Sequence, residues 1–132
     1  MAGTRGGRGA RHDRDEGAGQ RAEALDERTG RLVRLRVAAL TDDASLLAAE
    51  TARARALGIG PAVIELACAG RAEADEDYAC LILTSKLVRD SGRHLAFARD
   101  TATRLGVSVA KQRAVARAVG EALTAVFVAR LS

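Results

Sequence analysis

The chain is poor in the residues that build large aromatic cores and those that break helices. It has no tryptophan, one tyrosine and two phenylalanines (Tyr78, Phe97 and Phe127), and one proline, Pro61. Two cysteines, Cys68 and Cys80, stand too far apart for a paired metal or redox motif. No run of 18 apolar residues appears, so no membrane span is expected, and no hydrophobic segment follows Met1 as in a secretory leader. There is no phosphate-binding loop, dinucleotide fingerprint or histidine metal motif, so no cofactor and no metal is expected. These absences lead to an expectation of a cytoplasmic protein with free thiols.

What remains is a helical composition of Ala, Leu and Arg over 132 residues, the length of one domain. The net charge is +4. Residues 1–21 hold five Arg against Asp13, Asp15 and Glu16, and the rest holds 16 bases and 14 acids. The body is close to balanced, so the basic character does not point to nucleic acid. Residues 1–21 lack large apolar groups and are expected to form a disordered basic tail, since nothing there offsets the entropy of ordering. Small, aromatic-poor domains gain stability by self-association, so a homo-oligomer is expected.

Apolar periodicity predicts about six helices and an all-α fold. The first spans about Ala22 to Leu40, with Leu25, Leu32, Leu35 and Ala39 on one stripe and Val33, Val37 and Leu40 widening it. Arg28, Arg31, Arg34 and Arg36 decorate the rest, either as a solvated face or as a basic groove for an anion. Thr41 or Asp42 is placed to cap a second helix running to about Leu57, with Asp43 in its first turn. Leu46, Leu47, Ala54 and Leu57 face inward. Gly58 and Gly60 end it, and Pro61 opens a short third helix to Ala69. A fourth spans Glu73–Arg89, with Tyr78, Leu81, Ile82 and Val88 inward. A fifth spans Gly92–Leu105. The sixth follows a Ser108 cap to about Arg130, with a seam of Val115, Val119, Leu123, Val126 and Phe127.

The two halves align at an offset of 48 residues: LAAETARARALGIGPA (Leu47–Ala62) against LAFARDTATRLGVSVA (Leu95–Ala110). Gly58 meets Gly106, Ile59 meets Val107 and Asp42 meets Asp90. A duplicated helical unit, about 26–69 and 74–117, accounts for this within a single domain over 22–132.

Glu50 is the acid in an otherwise apolar seam, four residues from both Leu46 and Ala54. Facing a cavity, it is a candidate proton acceptor. At the edge of the stripe it would instead pair with Arg53 or with a residue of the first helix. Asp43, seven residues earlier, shares its side. Ser91 and His94 occupy corresponding positions in the second copy. His94 is a candidate acid or base, or a helix-boundary residue. Arg93 and Tyr78 are candidates for holding a substrate carboxylate or lining a cavity. Cys68 and Cys80 read as unreactive thiols.

The stretch LVRLRVAALTDDASLLAAETARARALG (Leu32–Gly58) resembles the alkylhydroperoxidase D-like and carboxymuconolactone decarboxylase superfamily, whose members follow a similar Leu-Val-x-Leu-x-Val run with Cys-x-x-Cys-x-x-x-His. The resemblance implies an all-helical fold of related units and a trimer or hexamer. Asp43 stands at the first motif cysteine, Leu46 at the second and Glu50 at the histidine. Thiol peroxidase chemistry, which needs an attacking thiolate and a resolving sulfur, is therefore not expected. The decarboxylase branch works by proton transfer. On this basis the leading expectation is a cofactor-independent lyase or isomerase for a small organic acid or lactone, with Glu50 and His94 catalytic and Asp43, Arg93 and Tyr78 binding substrate. The alternative is a non-catalytic assembly or ligand-binding module.

Overall fold

A computed structural model describes residues 25–90 and 93–132, and the basic tail read over residues 1–21 lies outside them. Six helices follow in order: α1 (Glu27–Leu40), α2 (Ala44–Ala56), α3 (Pro61–Cys68), α4 (Asp75–Arg89), α5 (Leu95–Arg104) and α6 (Val109–Leu131). The all-α expectation holds, and no strand occurs among the described residues.

The 48-residue offset recurs in the backbone. α1 begins at Glu27 and α4 at Asp75; α3 begins at Pro61 and α6 at Val109. α2 and α5 end alike. The amide of Gly58 donates to the Arg55 carbonyl (2.9 Å) and that of Ile59 to Ala54 (3.0 Å). In the second copy Gly106 donates to Thr103 (3.1 Å) and Val107 to Ala102 (2.9 Å). Both are Schellman closures, which require a left-handed residue after the cap; Gly58 and Gly106 supply it at φ 86° and 94°.

α1 packs on α2 and α3, α4 packs on α5 and α6, and α1 against α4 joins the halves. Leu32 and Leu35 sit in one core with Ala54, Ile59, Ile64 and Ala67, together with Leu81 from the other half. Val33 and Val37 enter the second core with Ala79, Cys80, Leu83, Ala102, Val107 and Val115. Val33 and Leu81 are 48-residue counterparts, so each half contributes this position to its neighbour's core. Full burial of each such side chain is worth about 1.5–3 kcal/mol, which ties the halves into one unit.

Local corrections have simple causes. α2 is capped by Asp43, whose carboxylate accepts from the Leu46 amide at 2.9 Å. Neither Thr41 nor Asp42 does this: Thr41 closes α1, and Asp42 turns the chain in the left-handed region at φ 54°. α1 starts at Glu27 behind an Asp26 cap, and Gly30 lies inside it. Leu57, Tyr78 and Phe127 are 40%, 40% and 56% exposed rather than inward. No described helix is long and apolar enough to cross a membrane.

Candidate functional site

Glu50 is 4% exposed, yet it does not stand open to a cavity. One carboxylate oxygen accepts from Arg31 on α1, and the other accepts from Arg53 at 3.3 Å. This is the edge-of-stripe arrangement, with both possible partners engaged. Asp43 is occupied as the α2 cap. His94 is an exposed residue preceding α5 at φ 58°, and Arg93 beside it is exposed, its Nε reaching the Asp90 carbonyl at 3.4 Å. Neither is among the polar partners of Glu50. α2 packs on α1 and α3, whereas α5 packs on α4 and α6.

The structure contains two related grooves. The first, about 210 Å³, lies between α1 and α6 and is lined by Gly30, Arg34, Arg117 and Ala118 among others. The second, about 550 Å³, lies between the end of α3 and α4 and includes their counterparts Tyr78, Ile82, Ala69 and Gly70. An apolar cleft beside Leu83, Leu87 and Leu95 is separate from both. None of the three is lined by Asp43, Glu50, Arg93 or His94. Of the five residues singled out from the sequence, Tyr78 alone lines one.

The size difference follows from one backbone event. α6 runs through Ala118 and on to Leu131, whereas α3 stops before the counterpart, Gly70. The Gly70 amide donates to Ala67 (2.9 Å) and that of Arg71 to Leu66 (2.8 Å), closing the helix. With no helix continuing past this point, the α4 surface stays open.

Charge separates the grooves further. Around the small one, Asp26, Glu27 and Glu121 balance Arg31, Arg34 and Arg117. Around the large one stand Arg36, Arg71, Lys86 and Arg89 against Asp90. Lys86 and Asp90 pair at 2.8 Å. Their hydrogen bond is the main reason the Asp90 carboxyl is held below its ordinary value. Arg36, Arg71 and Arg89 have no carboxylate partner within 4 Å among the described residues.

Arg36 forms the floor and was missed as a site residue. It is 8% exposed, so the solvated-face reading of the first-helix arginines fails for it. Its Nε donates to Ser85 Oγ at 2.9 Å and its Nη1 to the Cys68 carbonyl at 2.7 Å. Ser85 is committed in turn, donating to the Leu81 carbonyl. Arg36 Nη2 makes no such bond among the described residues and is not sealed from solvent, and Arg36 lines the groove. Burial, and then the charge of Arg89, push the Arg36 pKa below its ordinary value, against a smaller opposing effect of Cys68. Arginine nevertheless remains cationic in proteins. A buried guanidinium without an anion is costly, and an entering anion relieves that cost. The sequence held a signal: Arg36 lies four residues after Leu32, on the same apolar stripe.

No group of three or more metal-ligating side chains occurs among the described residues. The chain matches no protein-family model, no curated protein and no solved structure.

Proposed function

We propose that this protein is a non-catalytic ligand-binding module, a divergent relative of the alkylhydroperoxidase D-like scaffold, that holds a small organic anion in the groove between α3 and α4. The observation that carries the reading is Arg36: a buried guanidinium on the floor of a groove that Arg71 and Arg89 also line, none of the three with a carboxylate partner among the described residues. Tyr78, Ile82 and Phe97 supply apolar surface beside the charges, a combination common in small-molecule sites. Glu50 is less suited to proton transfer, because both its oxygens are engaged by arginines and neither groove reaches it. Self-association into a trimer or hexamer belongs to the same proposal and would cover the exposed Phe127, Val128 and Leu131; sedimentation of the full chain tests it.

The ligand reading is tested by thermal unfolding of the full chain with a panel of organic carboxylates and phosphates. A ligand at about ten times its Kd stabilises by about 1.4 kcal/mol, a shift of about 5 °C for a domain of this size. At least one panel member is expected to give such a shift, and the Arg71→Ala/Arg89→Ala double variant is expected to lose it. No shift with any member, or an equal shift in the variant, contradicts the proposal.

A further inference from the structure

We infer that the groove selects a phosphate monoester carried on a flat ring, recognised by three guanidinium groups at its head and by Tyr78 and Phe97 along its body; this rests on the anion-binding reading above.

Charge distinguishes the head group. Lys86 is paired with Asp90, which leaves Arg36, Arg71 and Arg89 as three cations lining one opening without a carboxylate partner among the described residues. A carboxylate brings one negative charge to this set, whereas a phosphate monoester brings between 1.5 and 2 at pH 7 and three strong acceptor oxygens. Arg36 points to the same ligand. Its Nε donor is committed to Ser85 and one Nη1 donor to Cys68, which leaves Nη2 as the terminal nitrogen with no bond of its own. An oxyanion with three acceptors can take one donor from the floor and others from the rim arginines.

Exposed aromatic surface distinguishes the body. Phe97 is 69% exposed and Tyr78 is 40% exposed in a chain that has three aromatic residues, and both border this groove. With Ile82 they form an apolar wall next to the cations. A ring against that wall gains buried area and offset stacking, the latter worth about 0.5–1.5 kcal/mol. The counterpart groove has Gly30 and Arg34 in place of Tyr78 and Ile82 and carries balanced charge, so the selection belongs to the α3–α4 side alone.

The test is calorimetric titration of the full chain with phenyl phosphate, inorganic phosphate and benzoate at low ionic strength. Phenyl phosphate is expected to bind at least tenfold more tightly than either of the others. Phe97→Ala is expected to weaken phenyl phosphate severalfold while leaving inorganic phosphate unchanged. Arg89→Ala, an exposed substitution that spares the core, is expected to weaken both phosphates. Benzoate binding as tightly as phenyl phosphate overturns the phosphate inference and leaves the anion site standing. Inorganic phosphate binding as tightly as phenyl phosphate overturns the ring. Absence of binding by all three, or binding indifferent to Arg89→Ala and Arg71→Ala, overturns both the inference and the reading beneath it.

Discussion

Arg31 and Glu50 meet across the contact between α1 and α2, where the Glu50 side chain is 5% exposed and that of Arg31 17%. The Arg31 Nε nitrogen is sealed from solvent and has no hydrogen-bond partner, so the pair is costly to maintain and more costly to break from one side. Glu50→Ala leaves a nearly buried guanidinium without its anion. It is expected to destabilise the fold by about 2–4 kcal/mol, near the range for breaking a buried pair. The Arg31→Met/Glu50→Leu double variant is expected to recover most of that loss. Urea unfolding of the single and double variants checks both. A Glu50→Ala loss below about 0.5 kcal/mol would make the pair an ordinary surface contact.

Gly70 combines a backbone requirement with a steric one. Its φ is +79°, and a Cβ there would lie 3.0 Å from Arg36 Nε and 3.1 Å from Arg36 Cζ. Gly58 has φ +86° with nothing within 4 Å. Gly58→Ala is therefore expected to cost the left-handed penalty alone, about 1–2 kcal/mol. Gly70→Ala is expected to cost more and also to displace Arg36, weakening anion binding, because Ser85 and Cys68 hold that guanidinium in place. Thermal unfolding and ligand titration of both variants separate the two effects.

Asp26 caps α1, its carboxylate accepting from the Thr29 amide at 3.2 Å. Partial burial raises its pKa, but the hydrogen bonds to Thr29 and the charge of Lys111 outweigh this, and the net shift is downward from 3.8. A carboxyl lowered in the folded state stabilises fully above its unfolded pKa and loses that contribution as pH falls through the folded one. Asp26→Ala is expected to cost about 1 kcal/mol at pH 7, with the difference from the unaltered protein narrowing below pH 3.8. Denaturant unfolding at several pH values from neutrality to below that limit measures it. A difference that widens in acid is the opposite of what the cap requires.

The two thiols differ in burial, and their reactivity should follow. Cys80 is 1% exposed and burial pushes its pKa up to about 11. Cys68 is half-buried; burial raises its pKa too, and the neighbouring Arg36 opposes this. Because the thiolate is the reactive form, iodoacetamide at pH 8 is expected to label Cys68 first. Cys80 is expected to react on the timescale of unfolding, read by mass spectrometry of the labelled peptides.

Much of the helical frame was legible in the sequence, because its signals were local: Pro61 opening α3, the Ser108 cap, and glycines at the ends of α2 and α5. The internal offset was legible for the same reason. Phe127 was misread because apolar residues lie on both sides of the α6 seam: Val115, Val119, Ala122 and Val126 are buried, whereas Phe127, one step round the helix from Val126, is 56% exposed. The groove was not legible, since it joins Arg36 of α1 to the end of α3 and to α4, and only the packing of α1 between the halves brings these together. Glu50 and Arg36 illustrate the limit well. Each is a charge on an apolar stripe, and nothing in either pattern reveals that, among the described residues, one meets two counter-ions and the other meets none.

Nitrogen-15 NMR of the full chain titrated with phenyl phosphate bears most directly on the anion site. Saturable shifts are expected at the Arg36 and Arg89 side-chain Nε groups and at the Gly70 and Arg71 amides, with the Arg31 Nε signal unmoved. Shifts confined to Arg31, Glu50 and Arg53, or none in the groove at millimolar ligand, would contradict it.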